Sequence, residues 1–343
     1  MSRTLIASLL ATLLLALGCT QGPGPLGDPP PPPPEPPVAV QEVELHSAAR
    51  HEDETYEEAS LRYRKRLFQQ LADAPAITRA TVEGSQVAVS QADLSRVPTW
   101  SDADIEAHFT ATRDERFQTM SSMPDFPRRL TWLYPDDGCY SRAEVVTTRA
   151  AQAGRVRPYK LFSFGNLRVA TSNASSGYVS WWYHVVPLVK RASTGECVVF
   201  DAAIDPARPL PWKDWLLKQV ASLGSVKVTV ADSYAYVPSS PVSGGSSQYS
   251  TALSTQKSTF LSKEWSRQQS LGRDPYKVLG DAPPWSTTPS DTTAPTVELT
   301  APQGGATVSG SVSLTASASD NVGVTRVEFY AGSQLLGSDG TSP

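Results

Sequence analysis

Cysteine is scarce in this chain, with Cys19, Cys139 and Cys197 the three among 343 residues. So few exclude a disulfide-stapled scaffold, and no Cys/His spacing matches a zinc site. Histidine is nearly as scarce, with four residues: His46, His51, His108 and His184. The first two stand in an acidic segment expected to be exposed, and neither a metal nor a cofactor is expected anywhere in the chain. There is no basic run, and the formal net charge is −4, which argues against nucleic acid as a partner. No apolar stretch reaches the roughly 20 residues of a membrane-spanning helix.

What is present is strongly segmented. Arg3 followed by the apolar run Leu5 to Leu17 has the length and flank of a signal peptide. The small residue Gly18 before Cys19 resembles the bacterial lipobox, although Leu17 stands where that pattern prefers a small or β-branched residue. Residues 1–19 are therefore expected to direct export, leaving the protein secreted or anchored in a membrane by a lipidated Cys19. Cys139 and Cys197 then remain, and could pair as a disulfide. Against that pairing, Cys139 opens a helix after a turn, whereas Cys197 reads as a buried strand residue. A Pro-rich linker at 20–39, unbroken from Pro29 to Pro34, can bury nothing and reads as an extended polyproline stalk.

Beyond the stalk the periodicity changes several times. Tyr56, Ala59, Tyr63, Leu67 and Leu71 form one stripe of an amphipathic helix, and residues 40–98 read as a small separate unit. Ser101 with Asp104 forms a capping box for a helix reaching about Thr119. A further helix starts at Cys139 and stops at Gly154. Strands follow at Tyr159 to Phe164 and Leu167 to Ala170 around Gly165-Asn166, then at Tyr178 to Val189 and Cys197 to Ile204. Helices at Pro211 to Leu223 and Tyr249 to Gln269 flank a strand at Val226 to Val237. The expectation for 99–285 is an α+β core, a helix packed on an antiparallel sheet. After a linker at 286–295, residues 296–343 show short alternating strands expected of a partial all-β immunoglobulin-like sandwich, read as truncated.

Three residues in this order carry the chemistry. A cysteine at a helix N-terminus has free backbone N–H groups beside it and a field that favours thiolate, which suits Cys139 as a nucleophile. His184, on the long strand, is the available base. Period two places Ser180, Trp182 and His184 on one face, so Ser180 and Trp182 are the expected lining of the substrate slot. Asp201 and Asp205 share parity on the next strand. Asp205, which ends that strand before Pro206, is the expected orienter of the imidazole.

The motifs Leu133-Tyr134-Pro135-Asp136-Asp137-Gly138-Cys139-Tyr140-Ser141-Arg142-Ala143, Phe164-Gly165-Asn166-Leu167, Ser180-Trp181-Trp182-Tyr183-His184-Val185 and Ile204-Asp205-Pro206 resemble, in this order, the bacterial protein-glutaminase family. The resemblance covers roughly residues 100 to 285. It implies a papain/transglutaminase-like core, Cys139 as nucleophile, His184 as base and acid, Asp205 as orienter, deamidation of protein-bound glutamine, and an N-terminal propeptide able to cover the site. The family motif commonly reads Cys-Tyr-Ala-Arg-Ala-His, so Ser141 and Glu144 are departures, and Glu144 is expected to bear on substrate choice.

The reading that follows is an exported, monomeric cysteine amidohydrolase acting on glutamine in proteins or peptides. Two alternatives stay open: transglutaminase-like transfer to amines with the same triad, and a surface-attached binding or adhesion protein in which Cys139 is inert.

Overall fold

The computed structural model describes residues 4–9, 43–70, 77–286, 295–320, 324 and 326–339. Cys19, the Pro-rich stalk, Leu71 and most of the linker before Thr296 lie outside them. The chain divides into two compact units, Pro32–Gly280 and a second formed by Asp281–Pro343 with Met1–Pro31.

The first unit is built on a sheet of Val87–Ala88 (β1), Thr99–Trp100 (β2), Tyr159–Ala170 (β3), Tyr178–Arg191 (β4), Cys197–Val199 (β5), Leu210–Pro211 (β6) and Lys227–Ala231 (β7). Its order is β1-β7-β3-β4-β5-β6, antiparallel along this path, with β2 parallel to the C-terminal end of β4. The β-branched and aromatic residues of β3 and β4 make them the backbone of the sheet, and β4 is buried along nearly its whole length.

Three helices frame this sheet. Tyr56–Gln70 (α1) buries Ala59, Tyr63 and Leu67, the stripe its periodicity predicts. Asp102–Asp114 (α2) is capped as expected, the Asp104 N–H donating to Ser101 Oγ at 3.1 Å. Cys139–Gln152 (α3) packs against β4 and is buried on almost every side from Cys139 to Thr148. Central helices of this kind have to satisfy their polar side chains internally.

Among the strands that differ from expectation, two shape the site. Gly165-Asn166 does not separate two strands but forms a bulge inside β3. Phe164 pairs with Tyr183 and Leu167 with Trp181, leaving Gly165 and Asn166 opposite Trp182. Gly165 has φ 150°, and a Cβ there would stand 3.1 Å from the Ser225 carbonyl oxygen. β5 ends at Val199 rather than continuing to Ile204. Asp201 closes it: its Oδ1 accepts from Ala203 N at 3.2 Å, and its carbonyl accepts from Ile204 N and Asp205 N at 3.2 and 3.0 Å. That turn ends the alternation on which the shared parity of Asp201 and Asp205 depends.

In the second unit, Thr296–Ala301 pairs antiparallel with Thr315–Ser319, and Arg326–Ala331 with Gln334–Asp339. Thr4–Leu9 lies parallel to Arg326–Ala331.

Candidate active site

The loop that leads into Cys139 is held from three directions. Trp181 Nε1 donates to the carbonyls of Pro135 and Asp136 at 2.9 and 3.0 Å. Arg267 grips the Asp136 carboxylate with two bonds of 2.7 and 2.8 Å. From inside, Arg142 Nη1 donates to the carbonyls of Thr131, Tyr134 and Asp137 at 3.3, 3.3 and 2.7 Å. The loop then turns through Gly138, at φ 78°, where a Cβ would come within 2.8 Å of the Phe260 ring. Both the left-handed backbone and this close approach require glycine at the N-cap, and Cys139 becomes the first residue of α3.

Cys139 and His184, 2% and 1% exposed, line one cavity with Asp201, Arg142, Trp132 and Val185, and its volume is about 10 Å³. His184 Nε2 lies 2.8 Å from Asp201 Oδ2, while its Nδ1 is buried without a hydrogen-bond partner among the described residues. Trp215 Nε1 donates to the same Asp201 oxygen at 2.9 Å. The imidazole lies between two indoles, parallel to Trp181 at 4.3 Å between ring centroids and beside Trp215 at 5.5 Å. Geometry of this kind suits a base whose orientation is supported from several sides.

The carboxylate that meets the imidazole is therefore Asp201 and not Asp205. The turn opened by Asp201 carries Asp205 away from the imidazole, and Asp205 Oδ1 instead accepts from Ala207 N at 2.9 Å. Burial opposes ionisation of Asp201, but the pull of His184, the bonds from His184 and Trp215 and the charge of Arg142 outweigh it and hold the carboxyl below its ordinary range. Trp182 also differs from expectation. At the bulge the period-two alternation breaks, so Trp181 faces the imidazole while Trp182 packs on Tyr63 at 5.0 Å. Ser180 is half-buried, and its carbonyl accepts from Arg50 N at 2.9 Å. The structure thus brings Cys139 and His184 together and leaves Ser180, Trp182 and Asp205 in other roles.

The site is covered. β5 does not extend alongside the first half of β4, and residues 48–50 take that open edge: Trp182 N donates to Ala48 O at 3.1 Å and Arg50 N to Ser180 O at 2.9 Å. Ala48 N donates to Asp137 Oδ1 at 3.0 Å, Trp182 Nε1 to Ser47 O at 2.9 Å, and Tyr183 Oη to His46 O at 2.6 Å. Under this cover, burial pushes the Cys139 thiol up to about 12, although Arg142 and the bond from Val185 N act to lower it. Desolvation outweighs the helix N-terminus, whose contribution is ~0.3–2 kcal/mol.

Cys139 and Cys197 are both free thiols. Glu144 lies on α3 more than one turn beyond Cys139. It is fully buried and bonded to Lys160 Nζ at 2.6 Å, with Ser247 Oγ and Gln248 N at 2.9 and 3.0 Å. Among the described residues, no cluster of three or more His, Cys, Asp and Glu side chains is arranged to hold a metal ion.

Comparison with known sequences bears on this geometry. Residues 105–219 match the family model described as Glutaminase. That glutaminase segment contains Cys139, His184, Asp201 and Asp205, and ends at Gln219. Residues 295–343 match a bacterial Ig domain. Solved structures similar to the chain include the A47Q2 mutant of pro- protein-glutaminase, 24% identical over 44% of this chain and 55% of that one, with a TM-score of 0.33. Protein-glutaminase itself is 21% identical over 58% of this chain and 98% of that one, with a TM-score of 0.35. The solution structure of protein-glutaminase from Chryseobacterium proteolyticum is 21% identical over 56% and 94%, with a TM-score of 0.32. The chain thus spans about half the length of the pro- protein-glutaminase it resembles. No curated protein matches.

Beyond Cys139 and His184, the site depends on Trp181, Trp215, Asp137 and Arg142. Asp137 and Arg142 belong to the motif from Leu133 to Ala143 that carries Cys139. Nothing in the local pattern marks Trp215, which reaches Asp201 from a helix 14 residues later.

Proposed function

We propose that the chain is an exported protein-glutamine deamidase whose site is covered before the chain is cleaved. The observation that carries this reading is the imidazole of His184, bonded through Nε2 to a buried carboxylate, its Nδ1 without a partner among the described residues, beside the cavity that the helix-starting Cys139 also lines. With the site open, His184 takes the thiol proton and the Cys139 sulfur attacks the carboxamide carbon of a glutamine side chain. N–H groups of the first turn of α3 hold the oxyanion of the tetrahedral intermediate. The C–N bond breaks, His184 supplies the proton that leaves with ammonia, and a γ-thioester remains. Water, deprotonated by His184, cleaves the thioester to glutamate and restores the thiol. Asp201 keeps the imidazole in the tautomer these transfers need.

Residues 43–50 and α1 act as an inhibitory segment. A cavity of about 10 Å³ has no room for a carboxamide, so catalysis requires that segment to leave. Export is supported by Arg3 and the apolar run after it, and Cys19 provides the point of lipid attachment; among the described residues no helix is long and apolar enough to cross a membrane. The glutaminase match over residues 105–219 supports the choice of substrate.

The deciding experiment is ammonia release from casein by the full chain before and after limited proteolysis, beside Cys139→Ala. Release that appears on proteolysis, is absent in Cys139→Ala and is accompanied by conversion of glutamine to glutamate supports the deamidase. Incorporation of an added amine in place of hydrolysis supports acyl transfer. Neither product from the cleaved protein overturns the enzymatic reading.

A further inference from the structure

Among the described residues, Arg142 is the one Lys or Arg lining the cavity that Cys139, His184 and Asp201 share. It is 2% exposed and stands one helical turn beyond the nucleophile, on the same face of α3. Its two terminal nitrogens divide the work. Nη1 is committed to three carbonyls of the loop 131–137. Nη2 is buried and has no hydrogen-bond partner among the described residues. An unpaired guanidinium nitrogen in an apolar interior is costly.

The groups around it explain why a positive charge is tolerated there. Asp201 lines the same cavity from the end of β5. Glu264 lies on the neighbouring helix Leu261–Ser270, where it is bonded to Arg128 at 2.5 Å. Arg142 draws down the carboxyl of Asp201, acts in the same direction on Glu264, and acts to lower the Cys139 thiol.

We propose that Arg142 is a positioning residue for the reaction of Cys139, its fixed charge favouring the thiolate and the ionised Asp201 over their neutral forms once the site opens. The inference rests on the cysteine chemistry proposed above but not on the identity of the substrate. In the attacking state a proton moves from Cys139 Sγ to His184, leaving a thiolate, an imidazolium and the Asp201 carboxylate. Those three carry one net negative charge, and the guanidinium offsets it without itself exchanging a proton.

The test reads the thiol directly. The rate of alkylation of Cys139 by iodoacetamide is measured against pH, with modification located by mass, in the full chain and after limited proteolysis, for the wild-type, Arg142→Gln and Arg142→Lys proteins. In the cleaved protein Arg142→Gln is expected to raise the pH of half-maximal alkylation by about one unit, making the reaction about tenfold slower at pH 7. Arg142→Lys keeps the charge but cannot reproduce the planar fork to three carbonyls, so it should melt earlier yet keep the wild-type midpoint to within about half a unit. An unchanged midpoint in Arg142→Gln overturns the proposal, as does a shift in Arg142→Lys as large as that in Arg142→Gln. If Arg142→Gln does not fold, Arg142→Lys alone decides: a retained midpoint supports the role of charge, and a midpoint raised by a unit or more overturns it. Failure of the protein to release ammonia leaves this readout intact, so the two readings fail separately.

Discussion

Asp201 and Asp205 lie four residues apart and would share parity in an extended strand, but one turn separates them. Asp201 accepts from His184 and Trp215, while Asp205 accepts only from Ala207 N within its own loop among the bonds assigned to its side chain. Asp201→Asn is expected to lower turnover of the cleaved enzyme by on the order of 10⁴-fold, through loss of the required tautomer. Asp205→Asn should retain wild-type turnover and change stability by no more than about 0.5 kcal/mol. Ammonia release by the two variants, side by side, checks the assignment. A pH dependence accompanies it. The Asp201 carboxyl is held below its unfolded-state value, so its ionisation stabilises the fold above the ordinary carboxylate range near pH 4, and that contribution is lost as pH falls through the lowered value. Thermal melts of Asp201→Asn should lack this part of the acid dependence.

At the scale of elements, α3 serves two purposes at once. Its first turn presents Cys139, and its middle is tied to the sheet by Glu144, which bonds Lys160 on β3 and also receives Ser247 and Gln248. Lys160 in turn donates to the Ala235 carbonyl at 2.7 Å. Breaking such a pair strands a charge in the interior, so Glu144→Gln is expected to cost about 3 to 5 kcal/mol. The double variant Glu144→Gln with Lys160→Met removes both charges and keeps an acceptor for Gln248, and should recover part of that loss. Denaturant melts of the three proteins measure it. A role for Glu144 in choosing substrates would instead appear as altered KM without altered stability.

At the scale of the whole molecule, Pro32–Gly280 forms one compact unit and the strands after Thr296 belong to another. Ending the chain at Ser286 should therefore leave the melting temperature of the first unit and its ammonia release per mole unchanged, as calorimetry and the casein assay would show. The covering segment behaves differently, because it is woven into the first unit. Tyr63 of α1 is 1% exposed, packs on Trp182, and donates to Ser239 Oγ at 2.8 Å. Opening the site exposes those contacts, which explains why a cut in the chain, rather than simple fluctuation, is the expected trigger.

Much of this protein is determined by local sequence: the stripe of α1, the Ser101 cap, the helix that begins after Gly138, the long aromatic strand carrying His184, and the alternating strands beyond Thr296. Each follows from periodicity or from a residue whose backbone preference acts within a few positions. The tertiary structure alone decided which aspartate meets His184, which tryptophan covers it, and that Glu144 belongs to a buried ion pair. It also decided that the thiol at the helix N-terminus is raised rather than lowered. The reason is common to all four. A bulge opposite Trp182 and a turn at Asp201 reset the side-chain alternation, and the partners of a buried charge or thiol come from segments distant in the chain, where local pattern carries no information.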